Sequence, residues 1–284
     1  MYGVVVGSEF KIPAGYIIDE QEPDVVVRHI KTKEIMPELH IIDREYGVVQ
    51  MNDGTMFHIR NGSEIIVKAS EEVDWFKVTQ YIATECLPAI LFQRGVFTIH
   101  GSCIEVNDGA LIITGASGAG KSSLANEFIE SGCRILADDT VGVDVVEDDV
   151  YAIPAFPQRK LVVDMVEKVG IDSSKLIDLK QNVPKYAINV DEQYCNQPRK
   201  LKALVWVCKH SGKKVEIHEV TGADKLKFLM DTSYEYILYV NDKVQQDEFK
   251  TLVKICNDVV FYVVLRPEDG YTTKEQMQQI VTKL

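Results

Sequence analysis

No run of about eighteen apolar residues occurs anywhere in this 284-residue chain, which leaves no candidate for a membrane-spanning helix. The first residues, MYGVVVGSEFKIPAG, have neither the basic opening nor the small-residue cleavage site of a secretory signal. The expected location is therefore the cytoplasm. Positive charge is also scarce, with 31 Lys and Arg against 43 Asp and Glu and a net charge of -12. Nucleic-acid and anionic-membrane surfaces need a basic footprint, so neither is expected as a partner, and any phosphate site must be built locally. The six cysteines (Cys86, Cys103, Cys133, Cys195, Cys208, Cys256) include no C-x-x-C pair and no histidine at metal-ligand spacing. They read as buried thiols rather than as disulfides or a zinc site.

What is present is ample apolar material, 46% of residues, enough for one large domain or two small ones. Residues 1–70 are rich in β-branched residues, and the turn signals NDG and RNGS predict antiparallel hairpins in a small β-rich N-terminal region. Residues 71–284 read as the second domain. It opens with a helix over Glu71–Arg94, kinked or broken at Pro88 and ended by Gly95. Next, GVFTIHGSCIEV and ALIITG flank Asn107-Asp108-Gly109, a hairpin signal. An antiparallel hairpin entering the loop strand predicts a mixed sheet rather than a simple parallel one. A β pair is expected in TVGVDVVEDDVYAIPA. Helices are expected in RKLVVDMVEKVG, ADKLKFLMDTSYEYILYV, QDEFKTLVKICND and TTKEQMQQIVTKL, and strands in LKALVWVCK, KKVEIHEV and VVFYVVLRP.

Residues 115–122, GASGAGKS, match G-x-x-x-x-G-K-[ST] between a predicted strand and a predicted helix. Gly115, Gly118 and Gly120, with Ala116, Ser117 and Ala119 between them, let backbone N–H groups converge on a phosphate at a helix N-terminus. Lys121 would reach the β- and γ-phosphates, Ser122 would ligate Mg2+, and Ser123 would lie on the helix face close by. The motif points to a nucleoside triphosphate and says little about the reaction. No N-K-x-D base-reading motif follows, so ATP is expected rather than GTP. Asp138 and Asp139 close the next short apolar run, where α/β sheets place ligands. One carboxylate could complete a magnesium shell while the other takes a proton from an attacking hydroxyl. His100, one strand away, could orient either.

Residues 100–139, HGSCIEVNDGALIITGASGAGKSSLANEFIESGCRILADD, resemble the catalytic core of the HPr kinase/phosphorylase family. The resemblance implies a P-loop mixed β-sheet core flanked by helices, with Asp138 as general base toward a protein serine hydroxyl. It also implies His100 as the partner orienting Asp138, Lys121 on the phosphates, and Ser122 and Asp139 on the metal side. ATP and Mg2+ are the implied cofactors, and a homo-oligomer is compatible with it. The family's downstream E-x-R-G-x-G signature is missing; IPAFPQRKLVVD stands there instead, so the phosphorolytic half of the family's activity is not carried over. PAFPQRKL followed by PKYAINVD resembles the smaller kinases of this superfamily that phosphorylate the C-terminal serine of lasso-peptide precursors. That resemblance makes Gln158, Arg159, Lys160 and Lys185 candidate contacts to phosphate or peptide carboxylate.

The expected function is thus an ATP- and Mg2+-dependent serine kinase acting on a peptide or small protein, with a lasso-peptide precursor as first choice. HPr itself, free serine or another small hydroxyl compound are the alternative acceptors. A catalytically silent nucleotide-binding regulator is the non-enzymatic alternative, and it would need the loop without an aligned base.

Overall fold

The structure is a computed structural model that describes residues 1–12, 21–32, 41–162, 166, 176–179, 185–233 and 244–284. The N-terminal strands are β1 (Val6–Ser8), β2 (Val25–Lys31), β3 (Ile41–Ile42), β4 (Tyr46–Gln50), β5 (Met56–Arg60) and β6 (Glu64–Ala69). They form one sheet in the order β1-β2-β6-β5-β4-β3. The hairpins expected from the turn signals are β4–β5 and β5–β6, the latter closed by Asn61 and Gly62, both with positive φ. The pairings of β2 with β1 and β6 are parallel, which a hairpin reading does not anticipate. In β6, Ile65, Val67 and Ala69 are buried while the alternate residues are not, the period-2 signature of a one-faced strand.

Helix α1 (Trp75–Tyr81) begins where Asp74 accepts the Phe76 and Lys77 N–H groups, an N-cap. One π turn, Ile82–Cys86, then leads into α2 (Leu87–Gln93). Pro88 does not break the helix. It follows directly on the π turn, in which the Leu87 N–H bonds the Ile82 carbonyl, so the backbone stays helical while adjusting around the missing N–H, and Gly95 (φ 84) ends the run.

The second half contains β7 (Phe97–His100), β8 (Ser102–Val106), β9 (Gly109–Thr114), α3 (Lys121–Glu130), β10 (Ile135–Ala137), β11 (Thr140–Val146) and β12 (Asp149–Ile153). It continues with β13 (Gln158–Val162), β14 (Ile177–Asp178), β15 (Lys185–Asn189), β16 (Arg199–His210), β17 (Glu216–Val220) and α4 (Asp224–Thr232). Helix α5 (Val244–Asp258), strand β18 (Val260–Pro267) and helix α6 (Thr273–Val281) complete it. The main sheet is mixed, as expected, and runs β10-β8-β9-β16-β12-β11-β7, with β18 beside β16 and β17 beside β18. β9, β16 and β18 are parallel, whereas β8, β10, β11, β12 and β7 pair antiparallel. Asn107 and Asp108 take positive φ in the β8–β9 turn, the conformation a two-residue hairpin requires.

Two local expectations are corrected. RKLVVDMVEKVG was expected to be helical, yet Gln158–Val162 is a strand registered over five residues against β15. The Lys160 N–H is committed to the Asp138 side chain, a tertiary bond that outweighs the short-range helical pattern. Of the remainder of that stretch only Val166 lies among the described residues, and it is helical. The helix expected over 223–240 stops at Thr232, because Ser233 is extended (φ -63, ψ 146) and bridges Ile99; residues 234–243 lie outside the described ones.

One core cluster joins the N-terminal sheet, α1 and α2 to β7, β11 and β12. A second packs Leu124, Ala125 and Phe128 of α3 and Ile280 of α6 against Ile113, Val205 and Val264 of the parallel strands. All six cysteines are free thiols, with Cys86, Cys103 and Cys195 buried. Among the described residues no helix is long and apolar enough to cross a membrane.

Candidate active site

β9, an interior strand between β8 and β16, is buried along its whole length and delivers the chain into residues 115–120 at its carboxyl end. The glycines there are required by backbone geometry. Gly115 (φ 142) lies so close to β16 that a Cβ would stand 2.5 Å from the Val207 carbonyl oxygen. Gly118 (φ 73) and Gly120 (φ 108) turn the loop left-handed before α3 begins at Lys121. Ala116, Ser117 and Gly118 are exposed, Ala119 is buried, and Ser122 and Ser123 sit half-buried in the first turn of α3. The Lys121 ammonium folds back over the loop, donating to the Gly115 carbonyl at 2.7 Å and the Ala116 carbonyl at 3.2 Å. Burial pushes its pKa below the usual lysine range; Asp139 and Asp138 pull it back up, and Lys185 adds to the depression.

His100, Gly101 and Ser102 form the corner between β7 and β8. A Cβ on residue 101 would stand 2.5 Å from the Ile113 carbonyl oxygen, so only glycine lets the corner cross the loop strand this closely. The Gly101 N–H donates to the Asp139 carbonyl at 3.1 Å, and Thr114 Oγ1 donates to the His100 carbonyl at 2.7 Å. The corner is thereby tied to both the phosphate-loop strand and the aspartate pair.

Asp138 is fixed at both oxygens. Oδ1 accepts from Ser102 Oγ at 2.6 Å, and Oδ2 accepts from the Lys160 N–H at 2.8 Å. Asp139, held at φ 76, turns its carboxylate the other way. Its Oδ2 accepts from Lys160 Nζ at 2.5 Å, and its Oδ1 lies 4.0 Å from His100 Nδ1. The sequence expectation paired His100 with Asp138, but the carboxylate its ring approaches is that of Asp139. Burial lowers the His100 pKa more than the two aspartates raise it, so the ring is neutral near pH 7. Burial would raise the Asp139 pKa, yet Lys160, His100 and Lys185 together hold it below the usual carboxylate range.

Of the four residues nominated from PAFPQRKL and PKYAINVD, Lys160 bonds Asp139 directly, Lys185 acts on Asp139 through its charge, and Arg159 acts on Asp138 through its charge. Lys160 and Lys185 share a face of the small β13–β15 sheet, since Lys160 registers with Ala187 and Val162 with Lys185. Arg159 points to the opposite face. It is 5% exposed and donates to Asn126 Oδ1 on α3 at 3.2 Å, supporting the loop helix from behind. Gln158 is also 5% exposed and registers with Asn189.

Two residues that the sequence reading did not single out shape the site. Ser102 holds the Asp138 carboxylate. Arg266, at the carboxyl end of β18, donates from Nε to the Ala119 carbonyl at 2.7 Å and so ties β18 to the loop. An arginine at the carboxyl end of a predicted strand was the available signal for it.

The donor set fits a nucleoside triphosphate with magnesium. A glycine-rich turn at a helix N-terminus suits phosphate oxygens, and the Ser122 hydroxyl and the Asp139 carboxylate, the latter ion-paired with Lys160, are oxygen groups of the kind magnesium takes. The Lys160–Asp139 pair is also testable on its own. A depressed carboxyl pKa contributes stability that is present above the unfolded value and lost as pH falls through the folded value. Lys160→Met removes the largest cause lowering Asp139. Acid unfolding followed by circular dichroism is therefore expected to begin at higher pH in the variant, and an unchanged acid limb would show that the pair contributes nothing.

Residues 95–171 match the family described as HPr Serine kinase C-terminal domain. An HPr kinase/phosphorylase of Clostridium botulinum is 35% identical over 105 residues, which is 37% of this chain and 30% of that protein. Another, of Lactobacillus acidophilus, is 38% identical over 78 residues, 28% of this chain and 23% of that protein. The chain thus spans under a third of the length of these curated relatives. A solved structure of the Hpr(Ser) kinase/phosphatase from Coxiella burnetii aligns over 65% of this chain and 91% of its own, with a TM-score of 0.35 and 13% identity.

Proposed function

We propose that this chain, whose residues 95–171 match the family described as HPr Serine kinase C-terminal domain, is an ATP-dependent serine kinase. The observation that carries this reading is the convergence of Lys121 and the loop 115–120 with two differently held carboxylates, Asp138 and Asp139, at the end of β10, which β8 separates from the loop strand. A nucleotide sensor needs the loop alone, whereas a fixed, oriented carboxylate beside it is what proton removal from an acceptor hydroxyl requires.

In this reading the acceptor oxygen attacks the γ-phosphorus, the bond from that phosphorus to the β,γ-bridging oxygen breaks, and ADP leaves. Asp138 receives the hydroxyl proton, with Ser102 and the Lys160 N–H fixing its orientation. Loop N–H groups and Lys121 hold the phosphates, and Lys160 and Lys185 add positive charge on the acceptor side. Ser122 and Asp139 would hold a magnesium ion, which when bound would neutralise part of the phosphate charge. Positioning and electrostatics then account for most of the rate. His100 keeps Asp139 oriented.

The proposed acceptor is the C-terminal serine of a lasso-peptide precursor. The PAFPQRKL resemblance supports it, as does the delivery of Lys160 and Lys185 to one face of β13–β15, where a terminal carboxylate would find them. HPr is the second reading, favoured by the names of the curated relatives. Comparing kcat/KM for a serine-terminated peptide, HPr and free serine decides between them. The peptide is expected to lead, and HPr leading by tenfold or more would replace it.

A further inference from the structure

A cavity of about 720 Å³ lies away from the phosphate loop, between β1 with the residues following it, the segment 153–157, and residues 194–198. Its size is that of a ligand site. Its walls are mostly apolar and include Val6, Phe10, Phe156, Pro157 and Tyr194, while Ser8, Glu9, Lys11 and the exposed Asn196 are the polar members of the lining. Phe156 is braced from behind by Tyr2, edge-on at 5.9 Å between ring centroids.

Two of the walls hang on β10, the strand that ends in the aspartates. The Ala155 N–H donates to the Leu136 carbonyl at 2.9 Å, and the Cys195 N–H donates to the Ile135 carbonyl at 2.8 Å. At about 3.3 Å per strand residue, the Ile135 end of β10 is on the order of 10 Å from Asp138, roughly three residues of extended peptide. The third wall is an edge. Among the described residues β1 is the terminal strand of its sheet and pairs with β2, and an edge strand is a template for one more strand. An aromatic and proline-lined cavity beside a sheet edge suits an extended peptide that places one side chain in the cavity.

We propose that this cavity is an acceptor-peptide subsite. It takes an apolar side chain about three or four residues from the phosphorylated serine while the peptide backbone runs along β1. The proposal rests on the serine-kinase reading for the placement of the hydroxyl, but it concerns binding and can be tested without turnover.

The probes are two fluorescein-labelled octapeptides ending in serine, identical except for leucine or alanine at the third and fourth positions before the serine. Anisotropy titrations are made on the full chain and on two variants. Asn196→Trp fills the cavity from an exposed rim position, and Phe10→Ala removes part of a wall. The full chain is expected to bind the leucine peptide about tenfold more tightly than the alanine peptide. Each variant is expected to lose that preference while binding ATP as the parent does. Equal binding of the two peptides, or a preference that survives in both variants, overturns the subsite. A leucine peptide that binds with the expected preference yet accepts no phosphoryl group from ATP upholds the subsite and contradicts the kinase reading instead.

Discussion

Asp138→Asn is expected to slow phosphoryl transfer by about 10²–10⁴-fold while ATP still binds. The asparagine keeps the shape of the side chain and loses the ability to take a proton. It also changes the local bonding in a calculable way. Asp138 accepts from Ser102 Oγ and from the Lys160 N–H, and a carboxamide offers one oxygen where two were used. The Ser102 hydroxyl can rotate to accept from the new NH2 group, whereas the Lys160 N–H cannot change role. The amide oxygen should therefore face Lys160, and the fold is expected to persist. The check is a pair of measurements, single-turnover transfer and ATP affinity by calorimetry. Transfer preserved at the parental rate would remove Asp138 from the base role. Loss of both transfer and ATP binding would make its role structural.

Lys121→Met should act on the other side of the reaction. The methionine keeps the aliphatic length and removes the charge, and a hydrogen bond to a charged group is worth about 1.5–3 kcal/mol. The ATP Kd is then expected to rise on the order of 10–100-fold, with transfer reduced further because the same ammonium serves the γ-phosphoryl group as charge develops. Lys121 also ties the Gly115 and Ala116 carbonyls together across the loop. Lys121→Arg is the useful companion, because it restores the charge but not the compact point-charge geometry. Unchanged ATP affinity in Lys121→Met would undo the phosphate-loop reading of residues 115–122.

Much of this site was legible before the fold because its parts are local in sequence. The glycine spacing of the loop, the Asn107-Asp108-Gly109 turn and the paired aspartates at a strand end each carry their geometry within a few residues. The end of the helix at Gly95 belongs to the same class, whereas its start at Trp75, capped by Asp74, lies four residues after the expected Glu71. What was not legible depends on contacts between distant residues. Gln158–Val162 looked helical because residues 159–170 carry a helical period, and only the Asp138 side chain and the β15 backbone explain the strand. The same strand sends Arg159 and Lys160 to opposite faces, so two adjacent basic residues part company, one to α3 and one to Asp139. Ser102 was visible beside His100, but its partner lies 36 residues away. Arg266 is farther still from Ala119, at 147 residues. His100 approaches Asp139 rather than Asp138 because Asp139 adopts positive φ, a backbone choice that the residue pair does not announce.

The central claim is that the γ-phosphoryl group of ATP passes to a serine hydroxyl beside Asp138. Incubating the full chain with γ-labelled ATP, magnesium and a panel of serine-terminated peptide, HPr and free serine tests it directly, with the product serine located by tandem mass spectrometry. The account predicts label on a serine oxygen of one acceptor with the parental chain and none with Asp138→Asn. An ATP-binding parental chain that leaves every acceptor unlabelled, or a variant that labels as the parent does, would contradict it.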